Sequence, residues 1–200
     1  MPAARDLWLR RGLKSVVFLA CLVPFAGLVH GAVIGDLGAN PVERVTDVSG
    51  QWGLRLLLVT LAITPLRRLT GWNGWMSLRR MLGLFAFFYV TLHLLTWIGL
   101  DQGFDLASIG ADIVKRPYVT VGFAAWLLLL PLALTSTRGM MRRLGRNWQR
   151  LHRAVYPAAA LGILHHLWQV RADPLEPLIY AAVLAALLLL RWRPGLIKPR

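Results

Sequence analysis

The residues best suited to chemistry in this chain are its histidines, His30, His93, His152, His165 and His166. Each lies in, or at the edge of, a long apolar block. Neutral imidazole is the commonest metal ligand, and it frequently holds haem iron. An ionisable side chain in an apolar block is costly and usually has a task. The competing reading is a hydrogen bond to a neighbouring helix, worth only about 1 kcal/mol. His30 and His166 fit that reading better than ligation. The single cysteine, Cys21, offers no disulfide, CxxC or zinc spacing and reads as packing. No glycine-rich phosphate loop occurs, so any nucleotide chemistry would have to come from another protein.

The apolar blocks decide what positions these side chains. Of 200 residues, 56% are hydrophobic and 16% charged, against roughly 25% charged in an ordinary soluble domain. A membrane-crossing helix needs about 20 apolar residues. Six segments approach that length: 15–34, 52–69, 81–100, 118–134, 148–170 and 175–192. The fold class expected is therefore an all-α membrane protein, a six-transmembrane-helix bundle over 15–192. It is flanked by a basic N-terminus at 1–14 and a basic tail at 193–200.

Charge sets the orientation. Arg5, Arg10, Arg11 and Lys14 precede the first span. Arg67, Arg68, Arg79 and Arg80 fall between the second and third, and Arg138, Arg142, Arg143 and Arg146 between the fourth and fifth. Arg191, Arg193, Lys198 and Arg200 close the chain. The alternate segments are acidic: Asp36, Glu43 and Asp47 stand against Arg44 in 35–51. The positive-inside rule then puts both termini in the cytoplasm of a bacterial cell. The net charge of +14 is thus a topology signal rather than a nucleic-acid footprint, and lipid is the expected surrounding. The first apolar run exceeds a signal-peptide core of roughly 7–15 residues, and His30-Gly31-Ala32 is a poor cleavage site, so an uncleaved first helix is expected. Trp8, Trp52, Trp72, Trp75, Trp148, Trp168 and Trp192 sit near span ends as an interfacial belt. Leu106, Ile109 and Ile113 form a short stripe in 101–117, for the membrane surface or a partner. No internal repeat is visible.

Depth sorts the histidines. At about 1.5 Å per residue, His93 lies roughly 18 Å above Met81 and His165 roughly 25 Å above Trp148. Both reach the outer half of the bilayer, where a haem between the third and fifth spans could take both as ligands. Ideal helical angles do not choose between His165 and His166, and Pro157 makes those angles uncertain. His152 lies in the inner half and faces no second histidine. Arg79 and Arg80 share its depth, either as partners for haem propionates or simply as topology determinants. Arg55 and Arg153 read as snorkelling side chains. No predicted span carries Asp or Glu near its middle, which argues against a proton pump or cation-coupled transporter.

These segments also carry a resemblance. Arg79-Arg80-Met81-Leu82-Gly83-Leu84 with Tyr89 and His93, Arg116-Pro117-Tyr118-Val119-Thr120-Val121-Gly122, and Trp148-Gln149-Arg150-Leu151-His152-Arg153-Ala154-Val155-Tyr156 followed by His165 resemble the MsrQ (YedZ) family of ferric-reductase-like transmembrane proteins, over nearly the whole chain. His166 departs from the aromatic residue expected there. The resemblance implies a haem b subunit of a bacterial inner membrane that reduces no substrate itself. It would pass electrons from the quinone pool or a cytoplasmic flavin reductase to the periplasmic molybdopterin enzyme MsrP, which repairs oxidised methionine. It further implies His93, His152 and His165 as haem-associated, with one haem or two, and FMN as an additional cofactor. Related oxidases add a second histidine on the third helix and a fused flavin domain. This chain has neither, so an external donor is expected. A small transporter or channel and a passive membrane anchor are the alternatives.

Overall fold

The computed structural model describes residues 4–170 and 173–192, with side chains from Trp8 to Arg191 apart from Arg171 and Ala172. The side chains of Arg5 and Trp192, Arg171, and the basic tail with Arg193, Lys198 and Arg200 lie outside the described residues. Every regular element among the described residues is helical. In chain order these are α1 (Ala4–Ile34), α2 (Pro41–Thr70), α3 (Met76–Thr96), α4 (Leu106–Lys115), α5 (Pro117–Leu134), α6 (Arg138–Leu144), α7 (Arg146–Leu151), α8 (Val155–Gln169) and α9 (Leu175–Trp192). Three stretches of the described residues, Trp8–Ile34, Asn73–Asp101 and Pro117–Leu134, are long and apolar enough to cross a membrane.

Two of the differences from the sequence reading bear on the histidines. Residues 41–51, expected in a loop, are the first turns of α2. The cause is a strong start signal: Asn40 caps the helix by accepting from the Glu43 amide at 3.2 Å and returns a bond from Nδ2 to Glu43 at 3.0 Å, with Pro41 in the first turn. Such reciprocal capping plus an early proline favours helix initiation. At its far end Gly71 takes φ 69 and donates to the Arg67 carbonyl, the left-handed stop that glycine permits. The second difference is in the expected 148–170 span. It is interrupted by a 3₁₀ turn at His152–Ala154, because Pro157 cannot donate to the carbonyl one turn earlier.

The expected stripe of 101–117 is also only partly a packing face. Asp105 caps α4 through the Ala107 amide, and Ile109 is buried, but Leu106 is 81% exposed.

The bundle is held chiefly by α2 against α3 and α5 against α8; α1 covers α2 and α3, and α9 covers α2 and α8. Small residues set the spacing. Ala86, Ala158 and Ala159 are fully buried, and a Cβ on Gly53 would come within 2.6 Å of Val90. In lipid such residues let helix backbones approach closely. Apolar side chains such as Val16, Leu19, Val23 and Leu189 face outward.

Tyr89 ties α1 to this core in an unusual way. It is fully buried. Its hydroxyl accepts from the Phe25 amide at 3.0 Å and donates to the Cys21 carbonyl at 2.7 Å. It thus stands between a donor and acceptor one turn apart beside Pro24, the kind of insertion that bends a helix. Tyr89→Phe should lower stability by about 1–3 kcal/mol, the cost of leaving a buried polar group unmade. Unfolding of the detergent-solubilised protein measures this, and an unchanged midpoint would contradict the bridging role.

Candidate functional site

A cavity of about 810 Å³ opens between the N-terminal part of α2, the C-terminal part of α3, the start of α5 and the end of α8. His93 from α3 and His165 from α8 both line it, with ring centres 5.9 Å apart and ring planes at 81°. Its apolar walls include Leu54, Leu57, Phe123, Trp126 and Leu129. Phe87, Trp126 and Phe123 form a run of stacked rings, at 6.3 Å and 6.0 Å.

Each histidine is held by a neighbouring helix. His93 Nδ1 lies 2.9 Å from the Thr46 carbonyl on α2, and His165 Nδ1 lies 2.7 Å from the Tyr118 carbonyl on α5. A carbonyl only accepts, so Nδ1 carries the proton in both rings. In the neutral imidazole that leaves Nε2 with a free lone pair. This is the tautomer a metal-binding histidine needs, fixed by the bond on its other nitrogen.

The two arrangements repeat in spacing. Each histidine bonds a carbonyl 47 residues earlier, and one helical turn past each carbonyl stands a glycine. A Cβ on Gly50 would meet His93 Nδ1 at 2.9 Å, and one on Gly122 would meet His165 Nδ1 at 2.6 Å. Both glycines therefore leave room for an imidazole. The sequence shows no repeat by residue type, since Thr46 corresponds to Tyr118. The carbonyls and glycines were missed for that reason, and because residues 41–51 read as a loop.

His166 also lines the cavity, but its ring contact is with another side chain. Its ring lies 5.9 Å from that of Tyr180, and Nε2 is 4.0 Å from Glu176, too far for a hydrogen bond. Of the adjacent pair, His165 is thus the one beside His93. Arg55 does not snorkel to headgroups. It pairs with Glu176 at 2.9 Å and donates to the Tyr180 hydroxyl at 2.7 Å, clamping α2 to α9 beside the cavity. The cavity mouth carries Glu43, Asp47, Asp101, Asp173 and Glu176 together with Arg116. Burial, then the charge of Glu43, raises the Asp47 carboxyl above its ordinary range.

The other sequence candidates are not in this cavity. His152 sits at the opposite end of α8, stacked on Trp148 at 3.8 Å, with Nδ1 donating to the Trp148 carbonyl at 3.0 Å. Its Nε2 is buried without a hydrogen bond of normal geometry. Arg79 is partly buried and within electrostatic range of His152, whereas Arg80 is exposed. His30 is exposed on α1.

Residues 49–163 match the family described as ferric reductase like transmembrane component. Relatives named protein-methionine-sulfoxide reductase heme-binding subunit MsrQ match over most of their length. That of Rhodospirillum rubrum is 58% identical, covering 94% of this chain and 90% of its own. That of Ralstonia nicotianae is 54% identical, covering 92% and 88%. That of Herminiimonas arsenicoxydans is 52% identical, covering 90% and 84%.

The chain belongs to the MsrQ family. It is accordingly a membrane protein, all-helical and ferric-reductase-like. The ferric-reductase match includes His93 and His152 and stops just short of His165, which joins the site through its contact with His93.

The glycine beside His165 provides a test. Gly122→Ala should push the ring aside and cost about 1–3 kcal/mol, as overpacking does. Gly110→Ala on α4, where a Cβ meets nothing within 4 Å, should be neutral or stabilising by roughly 0.5–1 kcal/mol. Equal unfolding midpoints for the two variants would refute the packing assignment.

Proposed function

We propose that this chain is a haem-binding electron-transfer subunit of a methionine-sulfoxide reductase, with His93 and His165 as the ligands of one haem b. The observation that carries the reading is the pair of facing imidazoles, each with Nδ1 fixed by a backbone carbonyl and Nε2 left free. A metal bonded to two ring nitrogens at roughly 2 Å each separates ring centres by about 6 Å, close to the spacing observed. Among the described residues no group of three or more His, Cys, Asp or Glu side chains is set to hold a metal ion. Two imidazoles suit an iron whose other ligands come from a macrocycle.

Haem supplies one-electron chemistry when bound. The protein's own residues do the rest. Thr46 and Tyr118 orient the ligands, Gly50 and Gly122 admit them, and the apolar walls exclude water and so tune the potential. Sulfoxide reduction belongs to the partner. By family resemblance that partner is the periplasmic molybdopterin enzyme MsrP, and the donor is the quinone pool or a cytoplasmic flavin reductase.

The cavity end is acidic and the opposite end rich in arginine, which supports placing the cavity toward the periplasm, with six spans and both termini cytoplasmic in the inner membrane. α2, α8 and α9 then cross beside the three strongly apolar stretches. A second haem would use His152, which lacks a facing histidine. Arg79, within range of it, would be the cation for propionates, and exposed Arg80 a topology determinant. FMN rests on the resemblance alone. The transporter and passive-anchor readings give no reason for two imidazoles held in the same tautomer.

Oxidised and reduced visible spectra of the purified protein test the assignment. A b-type spectrum should be lost in both His93→Ala and His165→Ala and retained in His166→Ala. Retention in either of the first two would remove the paired-ligand site. The haem-to-protein ratio of the parent and of His152→Ala distinguishes one haem from two. The isolated chain, given a chemical reductant, should reduce no methionine sulfoxide; turnover would make it an enzyme in its own right.

A further inference from the structure

Among the described side chains, the end of the bundle opposite the cavity is rich in arginine and holds no carboxylate. Asp36, Glu43, Asp47, Asp101, Asp105, Asp112, Asp173 and Glu176 all lie toward the cavity end of their elements or in the connections there. The one remaining carboxylate, Asp6, has its side chain outside the described residues. At the arginine end, Arg191 on α9 is fixed from two sides. One terminal nitrogen donates to the Leu61 carbonyl at 2.6 Å and the other to the Tyr156 hydroxyl. The Leu61 carbonyl is available because Pro65, one turn on, has no amide to give it. The guanidinium lies 5.3 Å from the Tyr156 ring centre, and its Nε is buried without a partner.

Arg79 on α3 is partly buried within electrostatic range of both Arg191 and Tyr156. It makes no hydrogen bond or ion pair among the described residues. Tyr156 accepts from Arg191 and has no acceptor there for its own proton. Arg191 and Tyr156 are thus in contact, Arg79 lies within electrostatic range of both, and all three have donors to offer. Bringing like charges together away from bulk water is expensive unless an anion joins them.

We infer that Arg79, Arg191 and Tyr156 form a binding site for a phosphate oxyanion. Guanidinium recognises phosphate through paired, charge-assisted hydrogen bonds. The group could be presented by an anionic phospholipid of the leaflet at this end of the bundle or by a free phosphate. Basic pockets between helices on the cytoplasmic side take lipid headgroups in this way. The site is separate from the cavity of His93 and His165; it shares Arg79 with the second haem proposed at His152, and the inference does not depend on that haem.

The test uses the full-length protein in detergent, with native mass spectrometry of bound lipid after exposure to equal phosphatidylglycerol and phosphatidylcholine. Arg79→Gln, Arg191→Gln and the charge-preserving Arg79→Lys are compared with the parent, and unfolding midpoints identify variants that have lost the fold. The parent should retain phosphatidylglycerol in preference by roughly tenfold, on the scale of a charge-assisted hydrogen bond. That preference should fall in both glutamine variants and partly survive in Arg79→Lys. If inorganic phosphate raises the parent's unfolding midpoint but not that of Arg79→Gln, and no lipid preference appears, the site takes free phosphate. A parent with neither response, or a folded Arg79→Gln that keeps the full response, overturns the inference.

Discussion

The hydrogen bond from an imidazole Nδ1 to a helix carbonyl on a neighbouring element, made twice, constrains most of this structure. The carbonyls are those of Thr46 and Tyr118. A helical carbonyl already accepts one bond from its own helix, but it keeps a second lone pair. Using that lone pair requires the donor helix to come very close, and glycine at the next turn clears the approach. The main helix pairs of the bundle, α2 with α3 and α5 with α8, are the two pairs this bond joins. The buried alanines and Gly53 bring the same backbones together. Close packing in lipid and tautomer control of the two histidines are consequently one requirement, not two.

The ends of the bundle are electrostatically unlike, and each is tied by an arginine. At the cavity end Arg55 joins α2 to α9 through Glu176 and Tyr180. At the other end Arg191 joins the same two helices through the Leu61 carbonyl and reaches Tyr156. The first arginine has a carboxylate and the second has none among the described residues. A surface ion pair contributes little on its own, but the Arg55 cluster is half-buried and shared among Gln51, Tyr180 and Glu176. It fixes the far side of the cavity, where the ring of His166 packs against Tyr180.

The sequence shows part of this arrangement clearly. Long apolar runs, alternating charge and the depths of His93 and His165 are all local properties, and each can be read without tertiary knowledge. The contact between His93 and His165 follows from that reading. The carbonyl partners do not, because backbone atoms leave no trace in residue identity: Thr46 and Tyr118 share neither size nor polarity. Asn40-Pro41 with Glu43 is a helix start signal, but 41–51 is charged and lies outside the apolar runs, so the segment that orients His93 reads as a loop. Arg55 was misplaced for a related reason. Snorkelling is the default for a lone arginine, and its partner Glu176 stands 121 residues away.

His152 has the same local chemistry with a different bracing. Its Nδ1 also donates to a carbonyl, but the acceptor is Trp148, one turn earlier in the same stretch of chain. Such a bond fixes the ring relative to its own backbone and constrains no neighbouring helix. The second restraint, stacking on Trp148, comes from that residue as well. A 3₁₀ turn made necessary by Pro157 lies under both. His93 and His165 are instead cross-braced, each by a backbone that α3 or α8 does not supply, so neither ring moves without moving a helix. Rigid placement of ligands is what holds a redox centre in one coordination state through a change of charge. The cavity pair is braced between helices, whereas the position of His152 follows a break in its own stretch of helix.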